Sequence, residues 1–192
     1  MAPDSKRIIY YFYFYTVFHN LNSPVQKLAL PPFNNLFVKR DDLIDPFISG
    51  NKWRKLKYIL HDVKAQNKSH LVTFGGAYSN HLVATAAAAS RSGLKSTAFV
   101  RGEQVDNEML MLCKLFGMQL IFVDRTSYRN KPLLFEQNFG KAADAYFIDE
   151  GGAAAQAIIG CAEIIDELPE TYDRILCAAG TGTTAAGLLS GM

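Results

Sequence analysis

From Leu36 onward, short apolar runs alternate with helical periods, and that alternation leaves few folds open. Leu36-Lys39 reads as a short strand and Lys52-Gln66 as an amphipathic helix. Leu71-Phe74 is a strand ending in Gly75-Gly76, followed by an alanine-rich helix from Ser79 to Ser90. Ser96-Val100, Gln119-Val123, Tyr146-Ile148 and Arg174-Cys177 read as further strands. Between them lie helices over Asp106-Phe116, within Ser127-Ala142, and over Ala153-Leu168, with a last one starting near Thr184. Strands separated by helices build parallel βαβ units, so the expected fold class is α/β, a three-layer arrangement on open, mostly parallel sheets.

The 192 residues suffice for one large domain or two small ones with ample core. Half the residues are hydrophobic (49%) and the net charge is only +2, so there is no basic excess to call for nucleic acid. Cys113, Cys161 and Cys177 are odd in number, widely spaced and set in apolar segments. That pattern fits buried, reduced thiols in a cytoplasmic protein better than a disulfide framework. His19, His61, His70 and His81 lack metal-ligand spacing, so no metal site is expected. The apolar-aromatic run Ile8-Phe18 is too short for a membrane span, which needs roughly 20 residues. It resembles a signal peptide in outline but lacks an A-x-A-like cleavage site, and a strand or an extension outside the domain fits better.

Three runs carry residue types suited to chemistry. In Ser49-Gly50-Asn51-Lys52-Trp53-Arg54-Lys55-Leu56, a lysine stands at a helix start behind a Gly-Asn turn. The positive end of the helix and the neighbouring Arg54 and Lys55 disfavour a second ammonium there. The neutral amine is then available for a Schiff base with an aldehyde. A solvated basic helix start is the plainer reading of this run alone. In Gly75-Gly76-Ala77-Tyr78-Ser79-Asn80-His81, a glycine pair and hydrogen-bonding side chains sit where a strand hands over to a helix, the ligand side of open α/β sheets. Simple capping by Ser79 or Asn80 explains that run equally well. Gly180-Thr181-Gly182-Thr183-Thr184 follows the last expected strand and has the makings of a phosphate cradle. It lacks the lysine of a Walker loop. With Ala185 it satisfies G-x-G-x-x-A, but the chain stops before the acidic residue that a dinucleotide fold expects.

In that order the three runs resemble the fold-type II pyridoxal-phosphate enzymes, of tryptophan synthase β-subunit architecture. More narrowly they are similar to the D-cysteine desulfhydrase and 1-aminocyclopropane-1-carboxylate deaminase branch. Val38-Lys39-Arg40-Asp41-Asp42 and Glu150-Gly151-Gly152 add to the likeness, which runs from about Ser23 to the last residue. The resemblance implies pyridoxal 5'-phosphate as cofactor, with Lys52 holding it covalently and later moving the substrate's α-proton. It implies that Ser79 contacts the substrate carboxylate or acts as nucleophile, and that Asn80 bonds the cofactor's phenolic oxygen. Lys55 and Gly180, Thr181, Gly182, Thr183 and Thr184 would hold its phosphate. The implied reaction is lyase or deaminase breakdown of a small amino acid, D-cysteine or aminocyclopropane carboxylate, to a 2-oxo acid and ammonia.

The same resemblance divides the chain into an extension (residues 1–22), a partial large cofactor domain (23–52 and 167–192) and a small domain (53–166). Two departures stand out. Tyr78 replaces the glutamine the family usually has before the serine, and the part that completes the large domain does not follow Met192. His81 matches the desulfhydrase-like pattern rather than the glutamine of the deaminases. The alternative to an enzyme is a catalytically silent, truncated remnant acting at most as an interaction module. A nicotinamide-dependent oxidoreductase leaves the first two runs unexplained. The small amino acid is the one expected partner, with no membrane and no nucleic acid. Unpaired strand edges would favour a homo-oligomer.

Overall fold

A computed structural model describes residues 22–192, and the run Ile8-Phe18 lies outside them. The chain enters as an antiparallel hairpin, β1 (Val25–Leu30) and β2 (Phe33–Lys39). It then alternates α1 (Asn51–Ala65), β3 (His70–Gly76), α2 (Asn80–Arg91), β4 (Lys95–Arg101), α3 (Glu108–Leu115), β5 (Gln119–Val123), α4 (Lys131–Phe139), β6 (Ala145–Ile148), α5 (Ala155–Asp166) and α6 (Thr183–Gly191). Strands β3 to β6 form one parallel sheet in the order β5-β4-β3-β6. β1 is an element that the alternation starting at Leu36 does not announce.

Side-chain alternation on the strands sorts the core into layers. Leu71 on β3 joins Leu56, Ile59, Leu60 and Val63 of α1 and Ala84, Ala87 and Ala88 of α2 on one face. Ala98 and Val100 of β4 continue that face toward Leu110 and Cys113 of α3. Val72, Phe74 and Phe99 point the other way, against Phe135 and Phe139 of α4. The α/β three-layer expectation therefore holds. Small residues make the tight packing possible: the alanines let α2 lie close on the sheet, and a Cβ on Gly160 would collide with the Arg54 carbonyl where α5 crosses α1.

Two expectations are corrected. Residues 174–177 belong to no sheet, and Leu176 is 87% exposed. No neighbouring strand among the described residues offers a ladder, and a four-residue run without one leaves its backbone to solvent rather than to a sheet. Cys177, expected to be buried, is exposed for the same reason, while Cys113 and Cys161 are buried. Among the described residues, no helix is long and apolar enough to cross a membrane.

The strand order fixes where a site can form. The chain proceeds from β3 outward to β4 and β5, then returns to place β6 on the other side of β3. The loops leaving β3 and β6 therefore diverge, opening a crevice at their carboxyl ends, the usual ligand position in open α/β sheets.

Candidate functional site

A cleft of about 790 Å³ lies there. Its wall includes Ser49, Gly50, Asn51, Lys52 and Lys55 from the start of α1, and Ser79, Asn80 and His81 from the start of α2. Glu150 and Gly151 come from the turn after β6, and Gly180, Thr181, Gly182 and Thr184 from the start of α6. The structure thus gathers Lys52, Lys55, Ser79, Asn80, Gly180, Thr181, Gly182 and Thr184 around one space. Thr183 does not line it. That residue is buried behind the loop, its hydroxyl 3.2 Å from that of Thr181.

Three helix amino termini converge on this cleft, each offering unpaired N–H groups and the positive end of a dipole. None is capped by the side chain of its own N-cap residue. Ser79 occupies the N-cap of α2 without making the capping bond, so the plain capping role is not realised. Gly182, the N-cap of α6, has a φ of 79°, the left-handed conformation that turns the Gly-Thr loop into the helix. The starts of α1 and α6 are tied directly, Asn51 Nδ2 donating to Thr184 Oγ1 at 2.9 Å.

Lys52 and Lys55 sit one turn apart on α1 and differ in their partners. Lys55 is 2% exposed and donates to the Gly151 carbonyl at 3.0 Å, with Thr181 Oγ1 at 3.5 Å. Gly151 is required at this junction: its φ is 71°, and a Cβ there would lie 2.9 Å from Thr181 Cγ2. Burial, and secondarily the nearby Lys52, pulls the Lys55 ammonium down to about 8, against a small opposing effect of Cys161. The Lys52 amine is also held below its ordinary range, by burial. That differs from the electrostatic cause expected for Lys52. Arg54 cannot contribute, because its guanidinium is turned away into two carboxylates.

Those carboxylates form a buried cluster that the sequence pattern does not reveal. Arg54, with no exposed surface, donates to Asp41 at 2.8 and 3.1 Å and grips Glu167 with two further hydrogen bonds, one of them 2.8 Å. Lys39 joins Glu167 at 2.9 Å, and the Ser23 hydroxyl donates to Asp41 at 2.6 Å. The hairpin, α1 and the end of α5 are thereby fastened two residues from Lys52. A run such as Lys39-Arg40-Asp41-Asp42 hints at ion pairs, but partners 13 and 113 positions from Arg54 are invisible without the fold.

His81 is fully buried at the cleft wall, and burial, with Lys52 and Lys55 nearby, pulls its imidazole down to about 3. Its Nε2 lies 2.8 Å from Thr73 Oγ1. Tyr78, the departure from the family pattern, is 76% exposed and lines not this cleft but an adjoining groove of about 1080 Å³ that shares Ser79 and Glu150 with it.

An α/β fold whose Lys52 and Gly-Thr loop meet in one crevice defines a class of cofactor-dependent enzymes. The family model for pyridoxal-phosphate-dependent enzymes matches residues 17–192, and the chain belongs to that family. A putative 1-aminocyclopropane-1-carboxylate deaminase of Thermotoga maritima is 38% identical over 168 residues, covering 82% of this chain and 54% of the relative. A bifunctional D-cysteine desulfhydrase/1-aminocyclopropane-1-carboxylate deaminase of Arabidopsis thaliana, described as mitochondrial, is 28% identical over 197 residues, covering 90% and 49%. Among solved structures, an ACC deaminase homologue superposes with a TM-score of 0.79 at 27% identity, covering 93% of this chain and 61% of that one. The chain spans about half the length of the curated relatives it matches.

Pyridoxal 5'-phosphate is the cofactor that goes with this membership, and the residues present fit it. Helix amino termini and a buried lysine suit a phosphate, and Gly180 and Gly182 leave open space where a Cβ would stand. A partly desolvated second lysine suits an aldehyde.

Proposed function

We propose that this chain carries the cofactor-holding part of an enzyme that breaks down a small amino acid, D-cysteine or 1-aminocyclopropane-1-carboxylate, to a 2-oxo acid and ammonia. The observation that carries the proposal is the meeting of three helix amino termini around a cleft whose wall holds Lys52. When bound, the cofactor supplies an electron-accepting ring for the charge left at the substrate's α-carbon.

The chain's own groups do the rest. Lys55, Thr181 and the N–H groups around Gly180 and Gly182 hold the phosphate. Asn80 orients the ring through its phenolic oxygen. Ser79, whose hydroxyl makes no capping bond, meets the substrate carboxylate at the start of α2. The Lys52 amine, its pKa lowered by burial, would bond the cofactor and, once released, would take the α-proton at Nζ. Substrate names come from the relatives, and the cleft's lining of small and hydrogen-bonding groups suits substrates of that size.

Incubation with pyridoxal phosphate, borohydride reduction and peptide mapping test the assignment. The pyridoxyl group should be found on Lys52, and 2-oxo acid release by the 192-residue chain should vanish in Lys52→Ala. Labelling that persists unchanged in Lys52→Ala would sink the assignment.

A further inference from the structure

The loop that presents Ser79 is held by a side chain from outside the cleft. Asn107 is the N-cap of α3, its Oδ1 accepting from the Leu110 N–H at 2.9 Å. Its Nδ2 reaches across to the loop after β3 and donates to the Ala77 carbonyl at 3.2 Å. The amide's orientation is fixed at both ends, since a backbone N–H can only donate and a carbonyl can only accept. Capping alone is served as well by Asp or Ser. The bond to Ala77 is not. Asp has no N–H to give and would set a charge against the carbonyl, while Ser and Thr carry a single polar atom, held at the cap. Among the preferred capping side chains, only Asn does both.

Both ends of this tie rest on packed structure. Leu110 and Cys113 of α3 share a buried cluster with Leu82, Val83 and Ala86 of α2, and Ala77 packs against the same cluster. The loop is also fastened to the end of β3, the Ser79 N–H donating to the Gly76 carbonyl at 3.1 Å. Gly75 allows the close approach there, because a Cβ would lie 2.8 Å from Leu82 Cγ. The segment that runs from β4 into Asn107 walls the adjoining groove opposite residues 76–79, so the tie joins the two loops that bound it.

We propose that Asn107 is a positioning residue for substrate binding: it sets the loop after β3 so that Ser79 and the start of α2 meet the substrate carboxylate. Asn107 does not line the cleft and acts only through the loop. Its role in binding rests on the reading of Ser79 given above, whereas the tie itself is testable without cofactor. Asn107→Asp and Asn107→Ser both keep the cap and both lose the donor to Ala77. In the cofactor-free 192-residue chain, amide hydrogen exchange at Ser79 should quicken several-fold in either variant. Leu110, whose N–H reports the cap, should exchange at the parent rate. Ser79 exchange that stays at the parent rate in either variant overturns the tie. So does exchange that quickens at Ser79 only in step with Leu110, as fraying of α3 would produce.

A second measurement reads binding in the chain loaded with pyridoxal phosphate. The probe is 2-aminoisobutyrate, an amino acid with no α-hydrogen to lose, and the signal is the absorbance of the bound cofactor. Its apparent affinity should weaken several-fold in both Asn107 variants, with the affinity for pyridoxal phosphate unchanged. Ser79→Ala should weaken it as well, and adding Asn107→Asp to Ser79→Ala should then cost little more, because the two act on one contact. Parent-like affinity in Asn107→Asp, or fully additive losses in the double variant, overturns the positioning role. Failure of the underlying reading would show separately, as a Ser79→Ala chain that binds the probe like the parent, or a parent whose absorbance does not respond to it. The role in binding then falls with that reading, and the tie stands or falls on the exchange at Ser79.

Discussion

The inner sheet face toward α4 and the corner where α1 meets α5 are both buried, yet they are made of opposite materials. On the sheet, Phe74 stacks on Phe99 at 5.0 Å and meets Tyr128 and Phe147 at its edges. Any well-packed apolar set of similar volume could fill that space. At the corner, a wholly buried guanidinium is clasped by two carboxylates from segments 126 residues apart, Asp41 and Glu167. Charges of this kind tolerate one arrangement only, since a shifted partner leaves an ion without a counterpart. The sheet supplies bulk stability, and the corner sets the position of the helix that presents Lys52.

Breaking the corner should cost most. Arg54→Met leaves Asp41 and Glu167 without their shared counter-ion, a loss of about 3–5 kcal/mol. The pH dependence should flatten as well. Burial pushes the Glu167 carboxyl up, but hydrogen bonds from Arg54 and Lys39 outweigh it and hold the group below its ordinary value. In the parent chain that contribution is present above the unfolded pKa and is lost as pH falls through the folded one. In Arg54→Met only Lys39 still bonds the half-buried Glu167, so the acid-side loss of stability should shrink. Urea unfolding at neutral and mildly acidic pH reads both effects. A loss below about 1 kcal/mol with unchanged pH dependence would show that the corner is an ordinary surface ion pair.

The sheet supplies the contrast. Phe74→Leu trims an aromatic from a packed stack and should cost about 1–2 kcal/mol, with no change in the shape of the pH profile. No charge is exposed or orphaned by the exchange. A pH-dependent loss in Phe74→Leu would mean that the two regions are coupled more tightly than their separate chemistry implies.

The same division explains what the sequence made legible. The period-2 and period-3.6 patterns of β3 to β6 and their helices arise from apolar burial, which is local in sequence, so the α/β architecture could be read directly. The three glycine- or lysine-bearing turns were legible for a related reason: each sits at a strand or helix boundary, and a boundary is marked by its own residues. Arg54 was misread as a neighbour acting on Lys52, because its partners lie far along the chain and a helix places successive side chains on different faces. Residues 174–177 were misread as a strand because β-propensity speaks to the residue and not to the presence of a ladder partner. His81 carried only the family pattern, a histidine after Ser79-Asn80 where the deaminases have glutamine. Only burial and the Thr73 hydrogen bond give it meaning.

The smallest expected effect comes from Lys55, a cleft charge kept for binding rather than for the fold. Burial, with Lys52 beside it, brings its ammonium down to about 8. An unfolded lysine titrates near 10.4, so between about 8 and 10.4 the unfolded chain binds the proton more readily than the folded one. Lys55 therefore makes the folded state more stable as pH rises through that window, and imposes its full cost below it. Oxyanion binding should run the opposite way, because the charged form is the one that holds a phosphate. With inorganic phosphate as probe, affinity measured by calorimetry should weaken by about tenfold for each pH unit above 8. Lys55→Met should lose that alkaline limb and bind phosphate weakly at every pH, while the cofactor-free variant is at least as stable as the parent near neutrality. Phosphate binding that is flat through pH 8 in the parent, or an alkaline limb that survives in Lys55→Met, would move the phosphate contact away from Lys55 and leave the three helix amino termini to hold it alone.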